Sequence, residues 1–141
     1  MAINISRLSL DAPLEKVWDA LTKPEYVKIW QYGSDLITDW SVGGEIRFIA
    51  EWNGVVFEQW GKVIENIPKK LIRYSLFAPM PGLEDKPENY FIMSYELEEV
   101  EGAVRLSIIQ EDDRPGAEQE EAQGEENPVL KALKELVEEG R

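Results

Sequence analysis

The chain has 141 residues, no cysteine, no histidine and a net charge of −13. That length suits a single domain spanning residues 1–141 with its own core. The missing thiols exclude disulfides and thiolate metal sites, and the missing imidazoles remove the commonest general base. So acidic a surface repels phosphate backbones and argues against nucleic acid as a partner.

In chain order, residues 2–10 alternate through Ile3, Ile5, Leu8 and Leu10 and read as a strand. The start lacks the basic flank and apolar core of a signal peptide. No apolar run approaches the roughly 20 residues that span a bilayer, so a cytoplasmic protein without membrane insertion is expected. Asp11 is placed to cap a helix, with Pro13 near its first turn. Leu14, Val17, Trp18 and Leu21 follow at helical spacing, and Thr22-Lys23-Pro24 ends that helix. A second short helix is expected from Pro24 to about Trp30.

From about residue 36 to 113 the pattern is that of strands. Ile46, Phe48, Ala50 and Trp52 share one face of a strand that follows the turn Ser41-Val42-Gly43-Gly44. Asn53-Gly54 is a strong hairpin signal, since both residues tolerate positive φ. A long partner strand, Val55 to Ile67, contains Gly61, where a closing helix is expected to approach. Leu71–Phe77, Tyr90–Glu98 and Val104–Glu111 complete the strands. Residues 78–89, with three prolines, read as a loop. The acidic stretch after Glu111 lacks the ligand spacing of a calcium loop and reads as a solvated segment, with 114–127 either loop or loose helix. Val129, Leu130, Leu133, Leu136 and Val137 form the apolar face of a final helix.

A sheet with alternating faces needs a cover on at least one of them, and only the last helix is long enough to provide it. A twisted antiparallel sheet curls and receives such a helix on its concave face. Where the two do not meet, an apolar cavity remains. Alternation offers Phe48, Trp52, Gln59, Tyr74, Met93, Tyr95 and Ile108 as its sheet wall, and the helix offers Leu130 and Leu133. For Phe48, Trp52, Tyr74, Met93 and Tyr95, ordinary core packing is an equal alternative. Gln59 is open between a ligand-orienting amide and a strand-end polar residue, and Gln110 reads as the latter. Trp18 reads as core.

The order of motifs resembles a known family. Ala12-Pro13-x-x-x-Val17-Trp18-x-Ala20-Leu21-Thr22 is followed by Pro24-Glu25 and Trp30. Then come Asp39…Gly43-Gly44-x-Ile46-Arg47-Phe48, Asn53-Gly54, Gly61-x-Val63 and Pro68-x-x-Leu71. Together these resemble the heat-shock-protein-90 ATPase activator homologue-like branch of the START-related (SRPBCC) superfamily. The resemblance implies an α+β helix-grip fold: a curved antiparallel sheet, two short N-terminal helices and a long C-terminal helix across the concave face. It also implies a cavity. Where the family commonly opens its final helix with Gly-Trp, this chain has Glu126-Asn127 before Pro128.

Three functions remain. The first is non-catalytic binding of an apolar small molecule, lipid-like or polycyclic, without a cofactor or metal. The second, implied by the resemblance, is an accessory factor that binds a chaperone or another protein. The third is a cyclase or hydrolase acting on an apolar substrate, which the lack of histidine disfavours, and no residue is singled out as catalytic.

Overall fold

The computed structural model describes residues 2–31, 33–114, 117, 119, 124 and 127–139; the side chains of Trp52 and Glu139 also lie outside that description. The chain opens with β1 (Ala2–Leu10), α1 (Leu14–Thr22) and α2 (Pro24–Trp30). Leu14, Val17, Ala20 and Leu21 turn one face of α1 into the core. The residue preceding α1 is Pro13, and no side chain caps the helix there. Asp11 stands two residues too early for that role; its backbone N–H is donated to Glu138 Oε2 at 2.8 Å. α1 ends at Thr22 because Pro24 has no N–H to offer the Ala20 carbonyl. The indole Nε1 of Trp30 takes that place, donating to Ala20 O at 2.8 Å, and Trp40 Nε1 donates to Thr22 O at 2.9 Å. Two tryptophans thus close the end of α1 and lock α2 and the following loop against it.

Six more strands follow: β2 (Asp35–Ile37), β3 (Glu45–Trp52), β4 (Val55–Ile67), β5 (Leu71–Leu76), β6 (Phe91–Val100) and β7 (Ala103–Asp112). α3 (Pro128–Glu139) closes the chain. The sheet order is β1-β7-β6-β5-β4-β3-β2, with every pairing antiparallel. This is the curved helix-grip sheet. Asn53 and Gly54 both take positive φ, 51° and 77°, as a tight hairpin between β3 and β4 requires.

The register sorts the concave face into rows running across the strands. Leu8, Leu106 and Leu97 are in line, as are Leu10 and Val104, and all five are buried. Further along lie Ser6, Ile108, Tyr95 and Ile72, and beyond them Asn4, Gln110, Met93, Tyr74 and Val63. One end of the concave face is therefore purely aliphatic, and the other mixes aromatics with uncharged polar groups.

α3 packs against α1, α2 and β1. Asn127 caps it, its Oδ1 accepting from Val129 N at 2.9 Å and Leu130 N at 3.4 Å, with Pro128 in the first turn. Its far end is fastened to β1, since Lys134 Nζ donates to Ser9 O at 3.0 Å and Glu138 holds Asp11. Most of 114–127 lies outside the described residues, including Glu118, Glu120, Glu121, Glu125 and Glu126.

Gly61 serves a strand rather than the helix. A Cβ built there falls 1.8 Å from the Ser75 carbonyl oxygen and 3.1 Å from Leu76 Cα, both on β5. The β4–β5 ladder stops at Val63↔Tyr74 and resumes only at the Trp60↔Phe77 bridge. The backbone of β5 leans on Gly61, and backbone cannot yield as a side-chain tip can. Gly61→Ala is expected to lower stability by about 1–3 kcal/mol or more, read as a fall in the urea midpoint at unchanged slope; an unchanged midpoint would show that the strands separate there without cost.

Candidate functional site

A cavity of about 480 Å³ lies between the first turn of α3, α2 and the mixed end of the concave face. Its sheet wall comes from alternate residues: Phe48 and Ala50 on β3, Phe57 and Gln59 on β4, Tyr74 and Leu76 on β5, Phe91, Met93 and Tyr95 on β6, and Ile108 and Gln110 on β7. Ser6 of β1 joins them. Trp30, Gln31 and Ser34 close one side, and Asn127, Val129 and Leu130 roof it from α3. Among the described residues, no Asp, Glu, Lys or Arg lines the space.

Tyr74 and Tyr95 form its polar centre. They lie diagonally on neighbouring strands, and their hydroxyl oxygens are 2.8 Å apart with rings edge to face at 83°. Burial raises both phenol pKa values, that of Tyr74 well above the ordinary tyrosine range, with the neighbouring Tyr95 adding to the effect. Hydrogen bonds from Tyr74 and Gln31 offset part of the rise at Tyr95. Both phenols therefore keep their protons at neutral pH and serve as hydrogen-bond donors.

The Tyr74 ring is held by neighbours on two sides. Phe48 is tilted against it at 5.9 Å and Trp40 meets it edge-on at 6.3 Å. Trp40 has φ 61°, a left-handed conformation uncommon for a bulky residue. It is held there by its indole bond to Thr22, by Asn66 Nδ2 donating to its carbonyl at 3.2 Å, and by its own N–H reaching Thr38 Oγ1 at 3.0 Å. The loop between β2 and β3 thus spends backbone strain on fixing one wall of the site.

Charge is present just behind the wall and is balanced there. Asp112 is buried, and Arg114 grips it with Nε at 2.8 Å and Nη2 at 2.6 Å. These bonds hold the Asp112 carboxyl below the usual carboxylate range. The guanidinium lies 4.5 Å from the Phe91 ring centroid, and Gln110 Nε2 donates to Asp112 Oδ2 at 3.3 Å.

Phe48, Gln59, Tyr74, Met93, Tyr95, Ile108 and Leu130 all meet at this cavity. The side chain of Trp52 lies outside the described residues. Leu133 stands apart: it is fully buried in the closed core and does not line the space. It sits about 4.5 Å further along the helix axis than Leu130, on the anchored side of α3. Gln110, read from sequence as a strand-end residue, faces the cavity. Phe57, Ala50, Leu76 and Phe91 follow by extending the alternation one step from Gln59, Phe48, Tyr74 and Met93. Trp30 and Gln31 carry no such signal, because only the docking of α2 brings them in. No group of three or more His, Cys, Asp or Glu suited to a metal occurs among the described residues, and no described helix is long and apolar enough to cross a membrane.

The family described as "Activator of Hsp90 ATPase homolog 1-like protein" matches residues 11–138. No curated protein matches the sequence. Among solved structures, a protein from Cytophaga hutchinsonii is 30% identical over 82% of this chain and 80% of its own, with a TM-score of 0.69. The Aha1 dimer from Colwellia psychrerythraea is 21% identical over 100% and 99% of the two chains, with a TM-score of 0.71. A protein from Nitrosomonas europaea is 19% identical over 99% and 96%, with a TM-score of 0.75. The last two likenesses concern the fold alone.

The two halves of α3 differ in what surrounds them, and truncation should tell them apart. Leu133→Ala leaves a sealed hole and is expected to cost about 2–5 kcal/mol. Leu130→Ala enlarges an existing space and is expected to cost about 2 kcal/mol or less, the transfer contribution alone. Equal losses in chemical denaturation would place both residues in the same packed core.

Proposed function

Since the chain belongs to the activator-of-Hsp90-ATPase-homolog-1-like family, whose members support a ligand-binding or chaperone-associated role in general, we propose that this protein binds an apolar small molecule, without catalysis, in the cavity beneath α3. The observation that carries this reading is the lining itself. A mainly apolar wall, a third of it aromatic residues, bounds about 480 Å³ and carries several convergent polar groups, the usual makeup of a small-molecule site. Those polar groups are amides, hydroxyls and phenols that hold their protons. None is poised to act as a general base at neutral pH, so binding accounts for the site better than a cyclase or hydrolase reaction.

A second reading, an accessory factor docking on a chaperone or other protein, draws on a separate feature. Val55, Val56 and Phe57, just past the β3–β4 turn, are each more than half exposed. Such a patch suits a protein contact. Phe57 belongs to both features, since it also borders the cavity.

The two readings separate by mutation. N-phenyl-1-naphthylamine, a neutral probe that brightens in apolar surroundings, is expected to bind the wild type. Ala50→Trp fills the space from the β3 wall and should weaken that binding about tenfold or more while the melting temperature holds. Val56→Asp, on the opposite face of β4, should leave the probe unaffected. If Ala50→Trp changes nothing and Val56→Asp releases a partner co-purified from cell extract, the accessory-factor reading replaces this one.

A further inference from the structure

The polar groups of the cavity specify more than an apolar occupant. Tyr74 and Tyr95 together own two phenolic protons, and the 2.8 Å bond between them uses one. Gln31, lining the same space just past α2, meets the Tyr95 hydroxyl with its side-chain amide, which offsets part of the rise in that phenol's pKa. With the Gln31 amide donating to Tyr95, one phenolic O–H is left over, in a pair whose rings both face the cavity. Gln59 also faces the cavity, beside Phe48 and Phe57, and its amide makes no hydrogen bond to the described protein. A phenolic donor buried without an acceptor costs free energy that a ligand acceptor would recover, whereas Gln59 is only half-buried and adds a polar contact.

We propose that the cavity selects uncharged ligands that present a hydrogen-bond acceptor, such as a ketone carbonyl, to the Tyr74–Tyr95 phenol pair, and that it rejects carboxylates and other anions. This rests on the ligand-binding reading above and narrows it. An anion in this space finds phenol and amide dipoles but, among the described residues, no lining cation. The guanidinium described beside the wall, Arg114, is already taken by Asp112. A carboxylate leaving water for such a place loses its hydration without a counter-charge. The net charge of −13 adds a long-range barrier of the same sign. A neutral carbonyl meets neither obstacle, and Gln59 offers a second polar contact across the aromatic wall.

Three naphthalenes of nearly equal size test this at neutral pH, with binding read from the quenching of tryptophan fluorescence. 2-Ethylnaphthalene has no acceptor, 2-acetonaphthone has a neutral one, and 2-naphthoate is an anion. The ketone is expected to bind about five- to tenfold more tightly than the hydrocarbon, the worth of one neutral hydrogen bond, and the carboxylate about tenfold or more weakly than the ketone. The ketone's advantage should vanish in the double variant Tyr74→Phe/Tyr95→Phe, since either single variant keeps one phenolic O–H to donate. That variant retains 2-ethylnaphthalene binding as its own internal control of folding, and a ratio taken within one variant is insensitive to a general loss of stability. Carboxylate binding as tight as that of the ketone overturns the inference while leaving cavity binding intact, as does a ketone advantage that survives the double Phe variant. Failure of all three probes to bind overturns the cavity reading and the inference together.

Discussion

The structure depends on how α3 is fastened. A helix of 12 residues is about 18 Å long, whereas seven strands at ordinary spacing span about 29 Å. One such helix cannot cover the whole concave face. Its C-terminal half is fixed: Leu133 and Val137 are fully buried, and Lys134 and Glu138 reach the end of β1. Closure at that end leaves the capped end of the helix standing over Tyr74, Tyr95 and Met93, and the uncovered volume is the cavity. Stability and site are thus two ends of one contact, and the aliphatic rows at Leu8, Leu106 and Leu10 serve the first while the mixed rows serve the second.

The chemistry of the site follows from the same separation. Without histidine, and with the buried carboxylate Asp112 locked to Arg114, the described lining has only neutral polar groups to work with. Its phenols stay protonated because burial penalises their charged form. A site so made orients an uncharged molecule and has little means of moving protons at neutral pH. Trp40, strained and hydrogen-bonded on three sides, holds the Tyr74 ring in place from behind, which is the pre-organisation that a small set of polar contacts needs to discriminate.

Much of the fold was legible because strand alternation and helical spacing are local. The order of elements, the Asn53-Gly54 hairpin and the apolar face of α3 all come from patterns within a few residues. The same alternation brought Phe48, Gln59, Tyr74, Met93, Tyr95 and Ile108 to one face. What failed was non-local. Asp11 has the right residue type for a cap, but the helix starts three residues later, and its backbone answers Glu138 more than a hundred residues away. Gly61 announces a close approach without saying of what, and the approaching chain is β5. Leu130 and Leu133 are equivalent by periodicity, and only the tilt of α3 against β1 separates the lining residue from the sealed one. Trp30 and Gln31 reach the cavity through the docking of α2, and that docking hangs on a carbonyl left free by Pro24.

The most direct test of a cavity under the capped end of α3 is the set of intermolecular nuclear Overhauser effects from bound 2-acetonaphthone to methyl-labelled protein. A ligand held there gives contacts to Met93, Ile108 and Leu130 together, with none to Leu133. Contacts confined to Val55 and Val56, or no contact to any of the three lining methyls, would contradict it.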